Sequence, residues 1–198
     1  MPRRPAADRF DASYYRRFYE DPRTRVADRS TTRRLGAFVG AYLRFLEVEV
    51  DSVLDLGCGL GWWQPVANKL RASYRGVEVS PHLCEAHGWM QGSVVDFPGP
   101  GADLVVCQGV LQYLPAREAQ KALTNLARLT YGALYLEVLT REDWDENVSR
   151  DRTDGDVYFR GVDWYRSRLR KRFVAAGGGV FLPRDGASAT LYALEKLE

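Results

Sequence analysis

Residues 52–61 read SVLDLGCGLG, and this stretch decides the fold. Ser52 to Leu56 has the length and apolar content of a short buried strand. The alternating Gly57, Gly59 and Gly61 then allow a tight turn in which bare backbone can approach a ligand closely, and a helix is expected from about Trp63 to Arg71. Strand, glycine turn and helix in this order open a parallel α/β sheet. The glycine spacing also separates ligand classes. A dinucleotide fingerprint G-x-G-x-x-G/A counted from Gly57 puts the bulky Trp62 at its third small position, and no G-x-x-x-x-G-K-[ST] phosphate loop occurs in the chain.

Downstream, Tyr74–Val79 (YRGVEV), Gly92–Val95, Asp103–Cys107 (DLVVC) and Ala133–Leu139 (ALYLEVL) read as the second to fifth strands. Helices are expected over Pro81–His87 and over Ala116–Leu129, where leucines and alanines recur at three- and four-residue spacing. The alternation predicts a Rossmann-like, doubly wound α/β sheet, mostly parallel. Glu78 ends the second strand, where a carboxylate can accept hydrogen bonds from ribose hydroxyls, which favours a nucleoside ligand without a diphosphate. The C-terminal part is expected to form a helix over Asp163–Ala176. After Gly177-Gly178-Gly179, an antiparallel hairpin of VFLP and ATLYALEKL follows, turning at Arg184-Asp185-Gly186.

Upstream, residues 1–50 are expected to form a helical cap. One stripe comprises Phe10, Tyr14, Tyr15, Phe18 and Tyr19, and a second comprises Leu35, Phe38, Val39, Tyr42, Leu43 and Leu46. Residues 140–161 are charged and aperiodic, either a substrate loop or a plain surface excursion. At 198 residues and 22.4 kDa, residues 1–198 are expected to be a single domain.

A net charge of +2 is too mild to indicate a nucleic-acid partner, and the N-terminal arginines are interleaved with Asp8, Asp11, Glu20, Asp21 and Asp28 as on a solvated face. No apolar run approaches the ~18 residues of a membrane span and no leader pattern is evident, so the expected location is cytoplasmic. Cys58, Cys84 and Cys107 are odd in number and lack Cys-x-x-Cys spacing, which predicts reduced thiols and no metal site. His82 and His87 are expected on a solvated helix. The helix-rich N-terminus can pack on its own sheet or on a neighbouring subunit, which leaves a homodimer open.

VLDLGCGLG, GVEVS, GSVVDFP and DLVVCQGVLQYLP together resemble, in order, the motifs of class I S-adenosylmethionine-dependent methyltransferases, over roughly residues 50–140. The resemblance is greatest to the small-molecule branch (methyltransferase-11/12-like). It implies S-adenosylmethionine as cofactor. Asp55 and the backbone of Gly57, Cys58, Gly59 and Gly61 would hold its methionine part, and Glu78, with Val79 beside it, its ribose. Val95 and Asp96 would take the adenine, and Gln108 and Gly109 would stand near the reacting methyl. An N-terminal lid containing Tyr14 would close over it.

Where this family commonly has V-L-x-H-L-P, the chain has VLQYLP, so Tyr113 replaces the histidine. It packs, orients substrate or acts as a base. The other candidate catalytic groups are Glu137 and Tyr15, with Asp143 and Tyr14 as further bases. Glu137 is either in the crevice or paired with an arginine. Trp144, Asp145, Tyr158, Phe159 and Arg160 are expected to recognise the acceptor, Arg160 as the partner of an acidic one. The implied reaction moves a methyl group to an O or N atom of a small molecule by proximity and in-line alignment. The alternatives are a methyltransferase acting on a protein or nucleic acid, of which only amino methylation of a base is disfavoured by CQGV where an N-P-P-Y segment would stand, and a non-catalytic S-adenosylmethionine-binding protein.

Overall fold

The computed structural model describes residues 9–185 and 191. Seven strands form one sheet: β1 Ser52–Leu56, β2 Ser73–Glu78, β3 Met90–Gln91, β4 Ala102–Gln108, β5 Thr130–Glu137, β6 Phe173–Gly177 and β7 Val180–Pro183. Their order is β3-β2-β1-β4-β5-β7-β6. β1 to β5 pair in parallel, whereas β7 runs antiparallel to both β5 and β6. The strand order reverses between β1 and β4, so the crevice beyond their carboxyl ends is where an open α/β sheet binds ligands.

The strands are apolar without alternation because both faces are covered. Leu54, Leu56, Val105 and Cys107 pack on one face with α5 (Ala116–Leu129), whose buried Ala122, Leu123, Leu126 and Leu129 follow helical spacing. Val53, Leu104, Val106 and Ala133 pack on the other with Val39 and Leu43 of α2 (Arg29–Phe45) and Val66 and Ala67 of α3 (Gln64–Leu70). α2 starts where Asp28 accepts the Thr31 amide. It lies close to α3 because a Cβ at Gly36 would overlap Val66.

The expected N-terminal helices are present. α1 (Ala12–Tyr15) runs directly into a π-helical turn, Arg16–Glu20, and α2 follows. α4 (Pro81–His87) carries His82 and His87 on exposed positions, as expected.

Three boundaries differ from the sequence reading. The third strand is Met90–Gln91 rather than Gly92–Val95, since only these two residues pair with β2 in register; the Gly92 amide donates once more to Glu78 O at 3.0 Å and the chain then turns, with Ser93 O accepting the Asp96 and Phe97 amides at 3.3 and 2.9 Å. The C-terminal helix, α7, spans only Val162–Leu169, and Phe173–Gly177 is a strand. Three glycines with positive φ at 177–179 turn that strand back on VFLP. ATLYALEKL, expected as the hairpin's second strand, lies outside the described residues except for Leu191. Finally, the 140–161 stretch contains a short helix, α6 (Arg141–Glu146), started by a capping box between Thr140 and Asp143. Among the described residues no helix is long and apolar enough to cross a membrane.

Candidate functional site

The turn after β1 is held by backbone alone at its start: the Gly57 and Cys58 amides donate to Val77 O at 2.8 and 3.1 Å. Gly57, Gly59 and Gly61 all have positive φ, and a Cβ at Gly57 would overlap Val110. The Gly59 amide donates to Glu78 Oε2 (2.9 Å), and Glu78 Oε1 accepts the Val79 and Ser80 amides at 2.9 and 3.0 Å. Glu78 is thus 97% hidden from solvent by the turn it braces, its residue being 3% exposed. Of the roughly four acceptor positions of a carboxylate, three are filled by these amides. Trp89 supports the turn from outside, its indole N–H donating to Gly59 O at 3.0 Å while its ring covers Gly61.

Asp55, near the carboxyl end of β1, is 2% exposed and accepts the Tyr74 hydroxyl at 2.8 Å. Burial pushes its carboxyl up to about 7; the Tyr74 hydrogen bond pulls the other way and the neighbouring Glu78 charge adds to the rise.

These groups open on a cavity of about 640 Å³. From β1 and the turn after it come Asp55, Gly57, Cys58 and Gly59, from the end of β2 and just beyond it Glu78 and Val79, and from the ends of β4 and β5 Gln108, Gly109 and Glu137. The N-terminal cap contributes Tyr14, Tyr15, Phe18 and Tyr19, and Tyr113 lines the cavity beside them. Most of the residues predicted from the sequence therefore meet in one place.

Three do not line the cavity. Gly61 is turned to Trp89. Val95 packs against the apolar core, and Asp96 is exposed on the turn before Pro98. Gly92, Ser93 and Val94 stand in the wall instead.

The candidate proton acceptors sort by environment. Tyr14 and Tyr113 share a hydrogen bond of 2.7 Å between their hydroxyls, and burial pushes both phenols well above the ordinary tyrosine range. Tyr15 is raised as well, by burial first and then by the Glu78 charge. None of the three is a base near neutral pH in this setting. Glu137 is exposed and lines the cavity. Its partners are the Tyr135 hydroxyl (2.9 Å) and Gln108 Nε2 (3.2 Å), both on Oε2, rather than an arginine. Gln108 is in turn fixed by the Trp63 indole N–H at 2.9 Å.

The charged stretch after β5 contributes to the wall, through Asp143, Asn147, Val148, Thr153 and Asp154. The residues expected to do so are engaged elsewhere. Trp144 packs on Phe159 with ring centroids 5.0 Å apart, and Asp145 pairs with Arg150. Arg160 is not available to an acidic acceptor: it is buried, donating to Leu111 O (3.2 Å), Tyr165 Oη (2.8 Å) and Leu114 O, with its guanidinium over Trp164. Its planar fork ties the segment after β4 to α7.

Sequence reasoning missed Trp62 and Trp63 as site residues, and it missed the clasp formed by Arg9. Arg9 pairs with Asp154 (2.8 Å) and Asp156 (3.3 Å) and lies over the Tyr113 ring at 4.6 Å. The aromatic run of the cap was the only signal pointing there. Among the described residues no group of His, Cys, Asp and Glu is arranged to hold a metal ion.

The sequence profile of the methyltransferase domain family matches residues 12–177. Among solved structures, the fold is similar to magnesium protoporphyrin IX methyltransferase from Synechocystis PCC 6803 with bound SAM, at a TM-score of 0.57 and 22% identity over 85% of each chain. It is also similar to Streptomyces venezuelae DesVI (TM-score 0.57, 16% identity, 76% of this chain and 91% of that one). The PH0226 protein of Pyrococcus horikoshii OT3 aligns with a TM-score of 0.60 at 13% identity, over 88% of this chain and all of its own (100%). At these identities the likeness establishes the fold. A comparison with curated protein sequences finds no match.

Proposed function

Given that this chain belongs to the methyltransferase domain family, whose members use S-adenosylmethionine, we propose that it moves a methyl group to a nitrogen or oxygen atom of a small-molecule acceptor. One observation carries the reading. The glycine turn with its bracing Glu78 and the strand-end Glu137 line a single cavity, under a cap of tyrosines. Cofactor and acceptor then share one compartment.

The residues fit the cofactor. Gly59 presents bare backbone to the cavity, with room for a Cβ only 3.7 Å from the Tyr15 ring, so any side chain there would fill the gap between turn and cap. Asp55, Gly57, Cys58 and Gly59 would hold the methionine part, and Gln108 and Gly109 the region of the methyl group. Glu78 keeps one acceptor position for a ribose hydroxyl. The 92–96 turn, through Ser93 and Val94 in the wall, would take the adenine, with Asp96 at its rim.

S-adenosylmethionine supplies an activated methyl, because its sulfonium leaves as a neutral thioether. The chain's own residues have the simpler tasks of alignment and exclusion of water. Tyr14, Tyr15 and Tyr19 cover the cavity as neutral phenols, and Tyr14 is fastened to Tyr113. Glu137 is the group placed to receive a proton from the acceptor. A small acceptor is favoured over a macromolecule because the cap is latched across the cavity by Arg9 and Tyr14.

Calorimetric titration with S-adenosylmethionine and S-adenosylhomocysteine tests the reading, beside Asp55→Ala and Glu78→Ala. Micromolar binding by the wild type, weakened at least about tenfold in both variants (about 1.4 kcal/mol), is expected. A folded wild type that binds neither ligand defeats the proposal.

A further inference from the structure

Charge is unevenly distributed around this cavity. Among the described residues, no lysine, arginine or histidine lines it, whereas Asp55, Glu78, Glu137, Asp143 and Asp154 do. Arg9 is the cation that comes near, and its guanidinium is spent on Asp154 and Asp156.

On the acceptor side the carboxylates are not equivalent. Asp154 is paired with Arg9. Asp143 Oδ2 accepts the Thr140 amide and hydroxyl, and its Oδ1 accepts Asn147 Nδ2. Glu137 differs, because both of its donors, Tyr135 and Gln108, are on Oε2; they orient the carboxylate and leave Oε1 without a partner among the described residues. A second polar group is also unsatisfied. Gln112 is 6% exposed, lines the same cavity, and its Oε1 has no hydrogen-bond partner. Both positions accept hydrogen bonds, and a donor group on the ligand would satisfy them. The surrounding wall is aromatic, with Tyr14, Phe18, Tyr19, Trp62 and Tyr113, and such ring faces attract cations.

We propose that the methyl acceptor is an amine on an apolar or aromatic body, anchored through its N–H groups by Glu137 with Gln112, and that anionic acceptors are excluded. The assignment rests on the methyl-transfer reading above and narrows it to nitrogen. An incoming ammonium gives one proton to Glu137, which passes it to solvent. The freed lone pair forms the C–N bond as the C–S bond breaks, the sulfur keeps that electron pair, and the product amine carries the positive charge. Tyr135, Gln108 and Trp63 are positioning residues, acting through Glu137.

The test is calorimetric binding of three matched probes, tryptamine, tryptophol and indole-3-propionate, to protein saturated with S-adenosylhomocysteine, for wild type, Glu137→Gln and Glu137→Asp. Tryptamine should bind about tenfold or more tighter than the alcohol, and the carboxylate should bind weakest. Glu137→Gln should bring tryptamine down to the level of the alcohol, and Glu137→Asp should restore part of the preference. Glu137 is exposed, and melting curves report whether each variant is folded. Binding of the alcohol or the carboxylate as tight as that of the amine overturns the assignment. So does an unchanged amine affinity in Glu137→Gln, or no amine binding to the saturated protein. Failure of S-adenosylhomocysteine itself to bind is a different result, which strikes the methyl-transfer reading together with what rests on it.

Discussion

The hydroxyls of Tyr14 and Tyr113 lie 2.7 Å apart although the residues are 99 positions apart in sequence. This single bond joins the N-terminal cap to the segment that follows β4, and Phe10 packs edge-on against both rings with centroids 5.0 and 5.1 Å away. The two tyrosines fasten the cap over the cavity.

Removing that bond should loosen binding without touching the chemistry. Burial raises both phenols far above neutral pH, so neither supplies a proton acceptor, and Tyr113→Phe deletes one partly buried hydrogen bond worth about 1 kcal/mol. KM for the acceptor should rise by roughly fivefold with kcat nearly unchanged, the ratio that energy implies. The kcat pH profile should keep its shape. Loss of a limb of that profile in the variant would show that Tyr113 titrates in the catalytic cycle.

The cap has a second fastening whose loss should be visible in solution. Arg9 and Asp154 are each 13% exposed in their side chains, so Arg9→Met leaves a mostly buried carboxylate without its charge partner. A cost of about 1–3 kcal/mol, below that of a fully buried pair, should fall on cap closure. Trypsin should then cut at Arg16, Arg17, Arg23 or Arg25 several times faster. In a double-mutant cycle with Asp154→Asn the two changes should be strongly non-additive; simple additivity would mean that the pair is not a latch.

Gly61 gives a sharper test, since it belongs to the sequence motif yet does not line the cavity. Its φ of +69° and the indole of Trp89 both oppose a side chain. Gly61→Ala should therefore cost about 2 kcal/mol, from left-handed strain and overpacking together. Because Trp89 also bonds Gly59 O, the turn should shift and cofactor affinity should fall. Urea melts and calorimetry on one sample read both quantities, and a variant of full stability with full affinity would dismiss the bracing role of Trp89.

What the sequence made legible was local. SVLDL followed by alternate glycines, and the three- and four-residue spacing of Ala119, Ala122, Leu123 and Leu126, mark β1, its turn and α5, because each pattern is set by neighbours in the chain. Met90–Gln91 escaped detection because both residues are exposed at the sheet edge. Phe173–Gly177 escaped because a short apolar run beside a helix has no distinct period. The sequence puts Arg160 in a charged stretch expected at the acceptor, but it lies inside, where its donors find carbonyls and a phenol. Only tertiary structure reveals such partners, and the same holds for Arg9 with Asp154. The two alternatives for Glu137, crevice or arginine pair, were separated by Gln108 and Tyr135, its actual partners.

Asp55 should make stability depend on pH in a direction opposite to that of a salt-bridged aspartate. Its carboxyl is raised from 3.8 to about 7 by burial, so the folded protein holds this proton more tightly than the unfolded chain does. The resulting stabilisation is complete below about pH 4, declines as pH rises, and is gone above about pH 7, with a slope approaching 1.4 kcal/mol per pH unit between those limits. Asp55→Asn keeps an acceptor for the Tyr74 hydroxyl but has no proton to lose. Urea melts at pH 5, 6, 7 and 8 should then show the variant gaining on the wild type from pH 5 to 7 and levelling off by pH 8, whereas a constant offset would mean that Asp55 does not titrate in this range. The same substitution should weaken binding of cationic S-adenosylmethionine most at pH 8, where the wild-type group is charged, and least at pH 5. Affinity and stability therefore move in opposite directions with pH at this one carboxylate: the charge that would help hold the cofactor is the charge that burial opposes.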